Sequence, residues 1–133
     1  MDEKLGKNYM LCSKKQIQSL IASPTHVKLY PFFTYYRLNE STDRIAFKVV
    51  ISAPKKKFRK AHERNRVKRL IKEGIRKNKL ILESILKESN YQLTFFIIYT
   101  AKDEMDYDFI LGKTHQLFKK LSHEISINLS GSV

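Results

Sequence analysis

The segment from Asn90 to Lys102 places the strongest limit on the fold. Leu93, Phe95, Ile97 and Tyr99 alternate there with Thr94, Phe96, Ile98 and Thr100, and both sets are fairly apolar. Successive side chains of a strand point to opposite faces. A run that is apolar on both needs cover on both, which predicts a central strand. The rest of the chain must supply its neighbours and its cover.

Two further segments read as strand. From Arg44 to Ala53, Ile45, Phe47, Val49 and Ile51 face one way and Ala46, Lys48, Val50 and Ser52 the other, and Pro54 closes the run. His26 to Leu38 reads as one long aromatic and β-branched strand, with Pro31 at an edge or a bulge because it cannot donate to a ladder. Unbroken alternation puts Lys28, Tyr30, Phe32 and Tyr36 on one face and Val27, Leu29, Phe33 and Tyr35 on the other. The polar stretch from Asn39 to Asp43 predicts a hairpin joining these two strands.

Three segments carry helical periodicity. Lys14 to Ala22 follows a capping Ser13 and sets Ile17, Leu20 and Ile21 in one stripe. A basic helix starts near Lys60, with Val67, Leu70, Ile71 and Gly74 on its inner side, and the periodicity admits its continuing through Ile81, Leu82 and Ile85, with or without a break near Asn78. Asp106 to about His123 lines up Ile110, Thr114, Leu117, Phe118 and Leu121. The expected fold is a single α+β domain over residues 1–133, with its core at about 10–123 and helices covering one face of a small sheet.

Charge narrows the function. The chain carries 26 Lys and Arg against 13 Asp and Glu, a net charge of +13. Lys55 to Lys79 holds thirteen basic and two acidic residues, +11 of that excess. Self-repulsion of this size opposes folding and fits a polyanionic partner. On a helix, Arg64, Lys68 and Lys72 stack at i, i+4, i+8, away from Val67, Leu70 and Ile71. A solvated charged face is the plain alternative, but such faces mix signs, and like charges at this spacing destabilise a free helix. A membrane-surface helix would need a larger aromatic or leucine face than this segment has.

Other chemistry finds little support. Cys12 is the only cysteine, which excludes an internal disulfide and fits a reducing, cytoplasmic setting. No apolar leader follows Met1, and the run Phe95 to Tyr99 is too short to span a bilayer. His26, His62, His115 and His123 lack metal-ligand spacing. Asp103, Glu104, Asp106 and Asp108 read as helix-start acids more simply than as a cation site. No nucleophile–base pair and no glycine-rich phosphate loop is legible, so no catalytic residue and no intrinsic cofactor is expected.

The stretch KKKFRKAHERNRVKRLIKE, Lys55 to Glu73, resembles the signature of the bacterial ribonuclease P protein family. The matching residues are Lys56, Lys57, Lys60, Ala61, Arg64, Asn65, Arg66, Lys68 and Arg69, with Lys72 at a further basic position. The likeness in element order extends over about residues 10–122. It implies a fold like the second domain of ribosomal protein S5, about four strands with a left-handed βαβ crossover. It also implies a subunit of a ribonucleoprotein endonuclease in which RNA is catalytic. Lys56, Lys57, Lys60, Arg64, Asn65, Arg66, Lys68, Arg69 and Lys72 would then bind the catalytic RNA. A cleft beside the first helix, with Ile17, Ile21, Tyr36 and Lys102, would hold the 5′ leader of precursor tRNA. Mg²⁺ would be bound mainly through RNA, and no membrane or obligate protein partner is implied. The chain departs from the family in having Ile17 and Ile21 where two Phe are frequent, and in Pro54 and Arg59. A non-enzymatic ribosomal or RNA-chaperone-type protein is the competing reading.

Overall fold

The computed structural model describes residues 14–22, 25–41, 45–54, 60–87, 89–101 and 105–130. Its elements are α1 (Lys14–Ala22), β1 (His26–Leu29), β2 (Phe32–Glu40), β3 (Phe47–Ser52), α2 (Ala61–Leu86), β4 (Tyr91–Tyr99) and α3 (Tyr107–Ser130). Cys12, Ser13, Lys56, Lys57, Arg59, Lys102, Asp103 and Glu104 lie outside the described residues.

Four strands form one mixed sheet in the order β1-β2-β4-β3. β4 occupies an inner position, as its two apolar faces require. It runs antiparallel to β2, from Phe32↔Tyr99 to Glu40↔Tyr91. It runs parallel to β3, with Phe47↔Leu93 and Ile51↔Ile97. Parallel neighbours need a crossover, and α2 provides it between β3 and β4.

The structure alters the strand expectations and settles the continuity of the basic helix. The segment from His26 to Leu38 is two strands, not one: the chain reverses at Tyr30-Pro31, a cis peptide, and β1 pairs back on β2. The hairpin expected across Asn39–Asp43 does not form, because β4 lies between β2 and β3. A connection of that length permits a hairpin but does not select the partner. The basic helix has no break at Asn78; its side chain donates to the Gly74 carbonyl at 2.8 Å and leaves the backbone ladder to the helix.

The core lies between one sheet face and the α2–α3 pair. Phe32, Tyr36, Phe47, Val49, Leu93, Phe95, Ile97 and Tyr99 are buried from the sheet side. Val67, Ile71, Ile75 and Leu82 of α2 meet them with Ile110, Leu117, Phe118 and Leu121 of α3. Phe118 stands edge-on to Phe47 and Phe95, with ring centroids 6.1 and 5.8 Å away. Such pairs add about 0.5–1.5 kcal/mol each beyond area burial. α3 runs past its expected end near His123 to Ser130, and Ile125 is still buried.

α1 departs from the expectation of helices on one face. Arg37 points away from the core, and its Nη1 donates to Ser19 Oγ of α1. α1 therefore sits on the opposite face, where Leu20 is only 1% exposed.

Candidate RNA interface and strand cleft

α2 is fixed by its apolar side. Val67, Ile71, Gly74, Ile75, Leu82 and Leu86 are buried, so the helix cannot turn about its axis without exposing them. That anchoring leaves Lys60, Asn65, Arg66, Lys68, Arg69 and Lys72 exposed and Arg64 half-buried. The cations divide between two flanks of the buried stripe. Arg64, Lys68 and Lys72 follow one flank, and Arg66 and Arg69 follow the other, toward the start of α3. Glu73 is engaged chiefly by Arg76 on its own helix, with Lys77 as a smaller influence. Arg76 Nε donates to its Oε2 at 3.0 Å, and this hydrogen bond and charge hold the Glu73 carboxyl below the usual carboxylate range despite partial burial. Arg and Lys held on a rigid rod suit phosphate, and Arg adds planar, bidentate contacts.

The opposite sheet face forms the second candidate surface. The β1–β2 register pairs Lys28 with Phe33 and His26 with Tyr35. Phe33 and Tyr35 share this face with Arg37 and with Phe96 and Ile98 of β4, all but Arg37 half-buried. The His26 ring stacks on Phe33 at 5.2 Å and 12°, Tyr35 meets Phe33 edge-on at 5.0 Å, and Lys28 Nζ lies 5.7 Å from the Phe33 centroid. A polar cleft of about 330 Å³ continues under α1, lined by Ser19, Leu20, Arg37, Asn39, Glu40, Ser41, Gln92 and Thr94. Gln92 Nε2 donates to the Ile45 carbonyl at 2.9 Å, which fixes one wall.

The expected cleft residues are not all brought together. Ile17 is half-buried and Ile21 is 47% exposed on α1. Tyr36 is on the other side of the sheet, 4% exposed in the core. Burial, with the Glu124 carboxylate of α3 as a smaller cause, raises its phenol pKa. Phe32 is buried beside it, and Tyr30 projects from the β1–β2 turn. Phe33 and Tyr35 take the place expected of Tyr36. Their signal was present in the sequence as aromatics of the opposite parity, but nothing there marked which parity α1 would cover.

Among the described residues, no three His, Cys, Asp or Glu side chains converge as metal ligands. No helix among them is long and apolar enough to cross a membrane.

Fold and surface together define a class: an α+β protein that braces a basic helix on one side of its sheet and shows aromatics beside a cleft on the other. The family model for Ribonuclease P matches residues 5–122. The ribonuclease P protein component of Porphyromonas gingivalis strain W83 is 33% identical over 104 residues, 77% of this chain and 75% of the relative. That of strain ATCC 33277 is 30% identical over 103 residues, with the same shares covered. The solved Staphylococcus aureus RNase P protein superposes with a TM-score of 0.65 at 24% identity, over 85% of this chain and 94% of that one. The Thermotoga maritima RNase P protein gives 0.65 at 20% identity, over 84% and 96%. The chain belongs to the ribonuclease P protein family. It is a subunit of the endoribonuclease holoenzyme that acts in tRNA processing, and its partner is the RNA of that particle.

Proposed function

We propose that α2 docks the protein on the catalytic RNA while the cleft between α1 and the sheet takes the single-stranded 5′ leader of precursor tRNA. The observation that carries the docking role is the burial of Val67, Ile71 and Ile75, which turns Arg66, Lys68, Arg69 and Lys72 outward on a helix that cannot rotate. Lys56 and Lys57 extend the same basic segment toward the N-terminus in sequence.

The leader role is supported by Phe33 and Tyr35 on the face that α1 shares, with Lys28 and Arg37 flanking them. Aromatic stacking tolerates any base, which suits a subunit serving many precursor tRNAs. Ile17 and Ile21 would pack on a base without π-stacking, and Lys102 would add a cation just past β4. Hydrolysis belongs in this reading to the RNA and its Mg²⁺. A cytoplasmic location follows from the substrate.

The test is reconstitution of the full chain with bacterial ribonuclease P RNA. Replacing Lys68 and Lys72 together by Ala should leave the circular dichroism spectrum unchanged. It should lower the slope of log K against log salt by about 2 and weaken binding on the order of tenfold or more at moderate salt. Unchanged affinity and slope in the folded double variant would remove α2 from the interface.

A further inference from the structure

We propose that the hollow between α2 and the first turn of α3 holds an unpaired nucleobase of the RNA partner, stacked on Tyr107. This rests on the docking role of α2. The cavity measures about 450 Å³ and is lined by Arg66, Arg69, Leu70, Glu73 and Tyr107. That volume falls within the roughly 300–1,000 Å³ usual for small-molecule sites.

The composition of the lining selects the occupant. A surface that meets only phosphates needs cations and no apolar floor, whereas Leu70 supplies a half-buried floor here and Tyr107 stands 40% exposed beside it. Tyr107 is the first residue of α3. The turn that carries it is capped by Asp106, whose Oδ1 accepts from the Phe109 amide at 2.8 Å, so the ring springs from an ordered backbone. Any base can stack on such a ring. Arg66 and Arg69 lie on the α2 wall, where planar guanidiniums grip the phosphates on either side of an everted nucleotide. Glu73 is the remaining wall. Its carboxylate, held by Arg76, repels phosphate and accepts from a base amino group. The cations therefore take the backbone and the hollow takes the base. A duplex phosphate track would not fit this pattern, since its anions would meet Glu73.

The experiment is a titration of the catalytic RNA with the parent chain and with Tyr107→Leu and Tyr107→Phe at several salt concentrations. Tyr107→Leu keeps apolar bulk and loses the π-face. It should bind roughly 5- to 100-fold more weakly with an unchanged salt slope, and Tyr107→Phe should bind like the parent. Parent-like binding by Tyr107→Leu overturns the proposal: the hollow is then empty in the complex, or is covered by another copy of the chain. A loss accompanied by a shallower slope also overturns it, because Tyr107 would then only position Arg66 and Arg69. Absence of salt-dependent binding by the parent chain is a different failure, that of the docking role itself, and the pocket falls with it.

Discussion

Gly74 of α2 faces Thr114 of α3 with no room for a side chain: a Cβ at residue 74 would lie 2.5 Å from Thr114 Oγ1 and 3.0 Å from its Cβ. Thr114 is buried, and its Oγ1 donates to the Ile110 carbonyl at 2.7 Å, so it cannot swing aside without giving up a buried hydrogen bond. The contact sets how deeply α3 settles against the basic helix. A few residues along, His115 Nδ1 and Asn78 Oδ1 lie 2.9 Å apart and tie the same two helices together.

Gly74→Ala should therefore destabilise the fold. The gain in helix propensity is about 1 kcal/mol, and overpacking of a filled interface costs about 1–3 kcal/mol. A net loss in urea unfolding is expected, with recovery when Thr114→Ala is added, since that change removes Oγ1 and Cγ2 together. A Gly74→Ala chain more stable than the parent would mean that α2 and α3 part easily here.

Leader recognition should depend on Phe33 and Tyr35 and not on Tyr36. Phe33→Ala or Tyr35→Ala should weaken precursor tRNA binding by the holoenzyme by roughly 1–3 kcal/mol for a lost base stack, with mature tRNA little affected. Tyr36→Phe should leave the ratio of the two affinities where it was. The comparison of precursor with mature tRNA reads this directly, and a ratio moved by Tyr36→Phe alone would return the cleft to the other sheet face.

Tyr36 should titrate late in alkali. Burial raises its pKa above the usual phenol value of about 10. A group whose pKa is higher folded than unfolded contributes stability that is complete below the unfolded value and is lost as pH rises through the folded one. The contribution should thus fade from about pH 10 upward, and Tyr36→Phe should flatten that decline. Among the seven tyrosines, ultraviolet difference titration should find the Tyr36 phenolate among the last to form. A phenolate at Tyr36 appearing at the usual pH in folded protein would contradict its burial.

Periodicity alone located much of this molecule. Helix α1 falls at the expected Lys14–Ala22, the alternation of Phe47, Val49 and Ile51 marks a buried face, and the doubly apolar β4 lies inside the sheet. The concentration of cations between Lys55 and Lys79 was equally plain, because charge placement on an amphipathic helix follows from spacing. Tertiary structure decided what spacing leaves open. Alternation assigns faces within a strand but names no partner, so only packing could place β4 between β2 and β3 and cancel the expected hairpin.

The aromatics show the limit most clearly. Reversal at Tyr30-Pro31 exchanges parity: even-numbered Lys28 pairs with odd-numbered Phe33, and the face that an unbroken strand would have shared is divided. Phe32 and Phe33, like Tyr35 and Tyr36, are adjacent and so point to opposite sides with nearly the same chemistry. Which member of each pair is core depends on the broad α2–α3 layer covering one face and the nine-residue α1 covering only part of the other. Tyr107 comes beside Arg66 and Arg69 for the same kind of reason, since a contact across some forty residues arises from two helices packing and leaves no trace in local sequence.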